Sequence, residues 1–231
     1  HLSLRRQRQM CIRDSYARGE ATAEILPTFL GNHDHGRFAR DVRQANPDAS
    51  DEEILKRVEL GHAMLLTLRG VPTIYSGDEQ GFSGDGNDQD AREDMFASKV
   101  ASYNDNKLIG TTKTTATDSF VLGHPLYREI ATLARLRTAN PALTRGRQVI
   151  RARGDAPGLF AVSRFDPATG REYLIAFNTS AKPLTQAVQV ETASERFATL
   201  AGRCAPRAAA PGSLMLELPA FGYAVCAAES R

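Results

Sequence analysis

The chain has 231 residues, of which 42% are hydrophobic and 24% are charged, and its formal net charge at pH 7 is +2. These proportions are ordinary for a globular protein of one or two domains. No stretch approaches the roughly 18 apolar residues that a membrane span needs, and the weak, scattered positive charge argues against a nucleic-acid partner. The sequence therefore predicts neither membrane insertion nor nucleic-acid binding.

The first 15 residues differ in character from the rest. They contain four arginines among a few apolar residues, and they lack the apolar run of roughly 7 to 15 residues that a secretory signal requires. We interpret residues 1–15 as a non-native, adapter-like segment and leave it out of the fold prediction. A basic arm for an acidic partner is the alternative.

The most informative motif is Phe29–Arg37, which reads FLGNHDHGR. A short apolar stretch stops abruptly on Asn32, His33 and Asp34, so we predict a strand over Thr28–Asn32 that ends in ionisable side chains. Barrel enzymes carry their chemistry at such strand ends. A polar turn that merely closes the strand is the alternative, because all three residue types tolerate turn geometry.

A second β-prone stretch, Gly70–Phe82 (GVPTIYSGDEQGF), also ends in acids and glycines. Between the two motifs we predict a polar loop from Arg37 to Ser50, then a helix. Ser50 and Glu53 form a capping box at its start, and apolar residues then recur at helical spacing as far as Gly70.

The region after the second motif begins with two irregular segments. Phe82–Asp94 is rich in Gly and Asp; its acids could offer oxygen ligands to calcium, but the spacing is not that of an EF-hand, and a solvated loop is the preferred interpretation. Tyr103–Ser119 is polar and aperiodic, which predicts a long surface excursion or a lid. No metal site is predicted in this chain.

A helix over Tyr127–Arg137 is predicted to stop at Asn140 and Pro141. Beyond it, short β-prone runs alternate with turn clusters, which predicts a separate all-β module, a sandwich. The runs are Gly158–Phe165, Tyr173–Phe177, Leu184–Val190, Leu214–Leu218 and Tyr223–Val225.

The three cysteines, Cys11, Cys204 and Cys226, lack the spacing of a metal or redox motif. A bridge between Cys204 and Cys226 is conceivable if their strands pair. We prefer two buried free thiols that behave as small apolar residues.

Together the two motifs resemble the α-amylase family of glycoside hydrolases, family 13. In that family a strand ending in Phe-x-x-Asn-His-Asp, here Phe29–Asp34, is the seventh of a (β/α)8 barrel, and a Gly-x-Pro strand with a trailing Glu, here Gly70 to Glu79, is the eighth. Asp90–Phe96 is similar to the loop that bacterial members carry after the eighth strand. The resemblance covers the chain from about Tyr16 onward.

The resemblance implies an α/β region followed by an all-β region: a partial (β/α)8 TIM barrel, with strands 7 and 8 and their helices, over residues 16–143, and a C-terminal antiparallel β-sandwich over residues 144–231. The early strands that carry the catalytic nucleophile and the acid/base are absent from this sequence. We therefore expect a C-terminal fragment of the enzyme.

The resemblance also implies roles for individual residues. Asp34 is the third carboxylate of the family, which stabilises the transition state, and His33 contacts a neighbouring hydroxyl of the same sugar. Arg37 is close enough in sequence to favour the ionised Asp34 or to reach a substrate hydroxyl, with a solvent-exposed arginine as the alternative. Glu79 either lines the cleft or faces water.

The activity that this resemblance implies is retaining hydrolysis of α-1,4-glucosidic bonds in starch-like α-glucans. A glucosyl-transferring or disaccharide-isomerising relative and a non-catalytic amylase-like binding subunit are the alternatives. For a complete enzyme the resemblance leaves a calcium ion open, and it implies an extracellular or periplasmic location, although no residue here shows either.

Overall fold

The computed structural model describes residues 25–229, so the interpretation of residues 1–15 lies outside the described residues. The described chain divides into two compact units. The α/β unit comprises residues 28–66 and 72–135, and the β unit comprises residues 25–27, 67–71 and 136–229. None of the helices between residues 25 and 229 has the length and apolar character to cross a membrane.

The α/β unit is built mainly from helices and ordered loops around one short pair of strands. Its elements in chain order are β1 (Pro27–Thr28), α1 (Phe38–Ala45), α2 (Asp51–Thr67), β2 (Val71–Pro72), three 3₁₀ turns (Asp78–Gln80, Asp88–Ala91 and Ala101–Tyr103) and α3 (Pro125–Ala139). The division between the two units passes through β1, β2 and the ends of α2 and α3.

The strands β1 and β2 are hydrogen-bonded to each other. The Val71 N–H donates to the Leu26 carbonyl at 2.9 Å and the Thr73 N–H to the Thr28 carbonyl at 2.7 Å. Residue numbers increase together along both strands, which is the parallel arrangement expected of a barrel. The prediction of a strand over Thr28–Asn32 is wrong beyond Thr28, because the chain turns at Asn32, which forms only an isolated bridge with Gly36.

The helix α2 begins as its sequence predicts. The Ser50 hydroxyl accepts a hydrogen bond from the Glu53 N–H at 3.2 Å. The Glu53 carboxylate, however, accepts from Arg57 one turn later at 2.7 and 2.9 Å. Only half of the capping box therefore forms, since the carboxylate finds a cationic donor on its own helix.

The prediction of a polar loop from Arg37 to Ser50 is wrong, because Phe38–Ala45 forms the helix α1. Its short apolar face explains why. Ala39, with Phe38 and Val42 beside it, packs into a cluster with apolar side chains of α2 and α3; the buried members are Ala39, Ile54, Val58, Ile109 and Leu126. Tertiary packing thus stabilises a helix whose sequence is otherwise dominated by charged residues.

Tyr103–Ser119 is not a surface excursion along its whole length. Leu108 and Ile109 are buried. The Ile109 N–H donates to the Gly81 carbonyl at 2.8 Å, and the Ser119 N–H donates to the Met95 carbonyl at 2.8 Å. These contacts make the segment part of the packed α/β unit.

The β unit contains two antiparallel sheets. The first has five strands in the order β3-β4-β5-β9-β7, and the second pairs β6 with β8. The strands are β3 (Arg147–Ala152), β4 (Leu159–Phe165), β5 (Glu172–Asn178), β6 (Leu184–Gln189), β7 (Phe197–Ala201), β8 (Ser213–Leu218) and β9 (Tyr223–Ala228), with a short helix α4 (Pro141–Arg145) before them.

All five predicted strands of this region are present, whereas β3, β7 and α4 were not predicted. Side chains from both sheets meet in one apolar core. From the first sheet it includes Leu174 and Ala176 of β5, and from the second it includes Leu214 and Leu216 of β8, all four without solvent exposure. Along β8 buried residues alternate with more exposed ones, which is the pattern of a strand with one face in a core, whereas every residue of β5 is buried.

Cys204 and Cys226 form a disulfide, with their Cα atoms 5.8 Å apart. The expectation of two free thiols is therefore wrong. Cys226 lies on β9 opposite Thr199 of β7, and Cys204 follows β7 by three residues, so the chain returns within bridging distance.

Candidate active site

The Asn-His-Asp motif forms a tight turn in the α/β unit. The Asn32 carboxamide oxygen accepts hydrogen bonds from the N–H groups of Asp34 and His35, at 2.9 and 2.8 Å. The Gly36 N–H closes the turn on the Asn32 carbonyl at 3.0 Å. Asn32 thus uses its side chain to stabilise the turn.

The side chains of His33 and Asp34 are exposed by 62% and 64%. Their nearest polar atoms, His33 Nε2 and Asp34 Oδ1, are 3.4 Å apart. An exposed carboxylate next to an imidazole is well placed to accept and donate hydrogen bonds to a hydroxylated ligand. The structure thus brings these two predicted site residues together, and their catalytic and binding roles stay predictions.

Arg92 is a neighbour of this pair that the sequence did not single out. Its Nε donates to the His33 carbonyl at 3.4 Å, and its Nη2 lies 3.9 Å from the Asp34 carboxylate. It also forms an ion pair with Asp88. The sequence feature that could have pointed to Arg92 is the Asp90–Phe96 segment, which contains it and follows β2 in the chain.

Arg37 is buried, with its side chain only 1% exposed, so the alternative of a solvent-exposed arginine is wrong. Its Nε donates to the Glu93 carboxylate at 3.0 Å and its Nη1 to the Asp78 carboxylate at 3.1 Å. The structure gives no contact between Arg37 and Asp34; these two acids, distant in sequence, are the carboxylates that the guanidinium pairs with. A role in binding substrate directly stays untested.

Arg37 makes three further contacts. Its Nη1 also donates to the Ser76 carbonyl at 2.6 Å. The guanidinium carbon lies 4.0 Å from the centre of the Tyr75 ring and 5.2 Å from that of Phe82, which are cation–π distances. The cluster therefore contains one cation, two carboxylates and two aromatic rings.

Burial dominates the electrostatics of this cluster. It raises the pKa of Asp78 to about 6, although Arg37 opposes the shift through its charge and its hydrogen bond, and the charges of Glu79 and Glu93 reinforce it. Burial also raises the pKa of Tyr75. Asp78 is harder to ionise because it is buried and because it shares the Arg37 guanidinium with Glu93. A single guanidinium cannot fully compensate two negative charges.

Glu79 lies in the 3₁₀ turn after β2 and is partly buried. Its carboxylate accepts a hydrogen bond from the Gly77 N–H at 3.0 Å. This local contact satisfies one carboxylate oxygen without deciding whether Glu79 lines a cleft, so its proposed place beside substrate stays a prediction.

The acidic loop from Phe82 to Asp94 is hydrogen-bonded within itself. The Asp85 N–H donates to the Asp90 carbonyl at 3.2 Å, and the Asp90 N–H donates to the Asn87 carbonyl at 3.3 Å. Within residues 25–229 no group of three or more His, Cys, Asp or Glu side chains is arranged to hold a metal ion.

Comparison with known proteins extends the resemblance found in the motifs. A family model described as "Alpha amylase, catalytic domain" matches residues 8–160, more than half of the chain. An α-amylase from Streptomyces lividans is 42% identical over 217 residues, which are 94% of this chain and 24% of the relative. A cyclomaltodextrin glucanotransferase from Bacillus sp. (strain 38-2) is 37% identical over 119 residues, which are 52% of this chain and 12% of the relative.

Among solved structures, an Anoxybacillus α-amylase is similar in fold, with a TM-score of 0.67 at 22% identity; the match covers 96% of this chain and 42% of the other. The chain belongs to the α-amylase family of glycoside hydrolases. It spans about a quarter of the length of the Streptomyces relative and an eighth of the Bacillus transferase.

Proposed function

We propose that this chain supplies the transition-state-stabilising carboxylate, Asp34, to an enzyme that hydrolyses α-1,4-glucosidic bonds in starch-like α-glucans. The observation that carries this proposal is the exposed His33–Asp34 pair, held on a tight turn in a chain of the α-amylase family. The 42% identity to an α-amylase favours hydrolysis as the reaction.

The mechanism we propose is retaining. One carboxylate attacks the anomeric carbon while a second carboxyl group protonates the leaving oxygen, and the oxocarbenium-like transition state carries positive charge on the sugar ring. Asp34 accepts hydrogen bonds from ring hydroxyls, and these bonds strengthen as that charge develops. His33 orients a neighbouring hydroxyl. The nucleophile and the acid/base are not among these 231 residues, so the chain alone is expected to be inactive.

We propose further that residues 16–143 are the end of the catalytic (β/α)8 barrel and residues 144–231 a β-sandwich domain. The parallel pairing of β1 and β2, with the helix α2 between them, supports the first assignment. The two antiparallel sheets that share one apolar core support the second.

A glucosyl-transferring enzyme is the second candidate, and the match to a cyclomaltodextrin glucanotransferase favours it. Both reactions pass through the same covalent intermediate and differ in whether water or a sugar hydroxyl attacks it. Product analysis of a full-length enzyme that contains this chain, with starch as substrate, distinguishes them. Linear maltooligosaccharides alone indicate hydrolysis, whereas cyclic or longer products indicate transfer.

The role of Asp34 is tested by Asp34→Asn in the same full-length enzyme. We expect kcat for starch to fall at least about 100-fold, since a neutral amide cannot balance the developing positive charge. Asp41→Asn is the matched control, because Asp41 is an exposed acid on α1. Wild-type turnover by the Asp34→Asn variant would refute the proposed role.

A further inference from the structure

We propose that Arg37 is a positioning residue, whose buried guanidinium fixes the turn carrying His33 and Asp34 against the loop that follows β2. The inference rests on the proposed function, because it concerns how Asp34 is held for catalysis. Arg37 itself contributes no atom to the reacting centre.

The first argument is the geometry of the guanidinium. Its Nε and Nη1 donate in different directions, to Glu93 and to Asp78 with the Ser76 carbonyl. The ring of Tyr75 covers its face at 4.0 Å. A planar group with fixed donors is thereby held in position as well as in orientation, which a lysine ammonium on a flexible stem does not reproduce.

The second argument is the direct connection between Arg37 and the turn. Arg37 follows Gly36, whose N–H closes the turn on Asn32 at 3.0 Å. Gly36 has a φ of +84°, and a Cβ added there would lie 2.7 Å from the Asn87 carboxamide oxygen. The turn therefore lies directly against the loop that follows β2, and the two come this close because residue 36 has no side chain.

The third argument is the difference in strength between the two sides of the turn. On its exposed side, Arg92 donates to the His33 carbonyl at 3.4 Å and approaches the Asp34 carboxylate only to 3.9 Å, and such contacts in solvent contribute little. On its buried side, Glu93 is 0% and Asp78 7% exposed in their pairs with Arg37. Loss of the guanidinium leaves buried carboxylates uncompensated, which is strongly unfavourable. The buried side therefore determines where the turn lies.

The inference is tested first on the chain itself, by backbone ¹⁵N order parameters in wild type, Arg37→Lys and Arg37→Met. We expect the order parameters of the His33, Asp34 and His35 amides to fall from about 0.85 to below about 0.6 in both variants. Amides of β5, in the other unit, should keep their values. Arg43→Met is the matched control, since it removes an arginine from a more exposed ion pair, with Asp51, in the same unit.

If neither Arg37 variant folds, Glu93→Gln replaces them, because it keeps the shape of the acid and removes one of the charges that hold the guanidinium. It is expected to lower the same order parameters by a smaller amount. Wild-type order parameters at His33 to His35 in every folded variant would overturn the inference.

The kinetic arm uses the full-length enzyme. Arg37→Lys should lower kcat about 10- to 100-fold with KM within about threefold of wild type, because a carboxylate displaced by about 1 Å loses transition-state contacts. If Asp34→Asn leaves turnover intact, the proposed function fails whatever Arg37 does. If Asp34→Asn abolishes turnover while Arg37→Lys leaves kcat unchanged, the positioning role alone is refuted.

Discussion

Two residues three positions apart, Asp34 and Arg37, have opposite environments. Asp34 is exposed on a turn that Asn32 closes through its side chain. Arg37 is buried and compensates acids from two other parts of the chain. In the proposed roles, the carboxylate that meets the ligand stays accessible, while the guanidinium that holds its turn is buried, and buried ion pairs are screened less than exposed ones.

Glu59, on α2, is a second acid, besides Asp78, whose pKa is strongly raised. Burial raises the pKa of this carboxyl to about 7, and the negative charge of Glu129 reinforces the shift while Lys56 opposes it. The folded state thus holds a proton that the unfolded state releases near its ordinary pKa of 4.5. Stability falls as the pH rises from about 4.5 to about 7 and changes no further above that range through this group.

We therefore predict that Glu59→Gln stabilises the protein by about 1 to 2 kcal/mol above pH 7, a value reduced because the side chain is partly solvated. The gain should shrink as the pH falls from about 7 and vanish below about 4.5, where Glu59 is protonated in both states. Urea denaturation at pH 5 and pH 8 measures the difference. Glu52→Gln, at an exposed position of the same helix, should show no such gain, and an equal gain at both pH values would contradict the assignment.

Among the elements, the five-stranded sheet shows how a buried charge is tolerated when all its partners are present. Glu172 at the start of β5 is 1% exposed in its pair with Arg151 of β3, 3.0 Å away. Its carboxylate also contacts the Ser163 hydroxyl and accepts from the Glu191 N–H at 2.9 Å. The network spans β3, β4 and β5, so it couples the edge strand to the centre of the sheet.

The disulfide also links elements of the β unit, because it joins β9 to the segment after β7. Its two cysteines are 22 residues apart, and closing a loop of that length stabilises a fold by about 3 kcal/mol. We predict that Cys204→Ser lowers the free energy of unfolding of the β unit by about that amount, measured by guanidinium denaturation followed through signals of the β unit.

The control for the disulfide is chemical. The denatured, non-reduced chain should titrate one thiol and the reduced chain three, since the sequence has three cysteines and two are bridged. Under reducing conditions wild type and Cys204→Ser should unfold alike. Three thiols without reductant would show that the bridge does not form.

At the scale of the whole molecule, the proposed function assigns one catalytic carboxylate, Asp34, to this chain and neither the nucleophile nor the acid/base. A retaining mechanism needs both of these groups as well as Asp34. We predict that the purified 231-residue chain releases no reducing sugar from starch above the rate of a buffer blank. Hydrolysis that Asp34→Asn abolishes would show that the chain contains a complete active site and would contradict this prediction.

Much of the fold followed from local sequence patterns. The helix α2 begins at its Ser50 cap, and the five strands from β4 onward that were predicted fall where β-prone runs alternate with turns. The helix α1 and the strand β3 were missed for one physical reason. Their segments are rich in arginine and polar residues, and few of their apolar residues are buried. Their conformation therefore depends on packing against neighbouring elements and not on a local pattern.

The sequence by itself indicated the family and placed Asn32, His33 and Asp34 together after an apolar stretch, because these are properties of consecutive residues. Only the tertiary structure decided that Arg37 is buried between Glu93 and Asp78, which lie 56 and 41 positions away. It likewise decided that Cys204 bonds to Cys226. The partner of a buried charge or thiol depends on which segments the fold brings together. Separation along the sequence does not predict which segments these are.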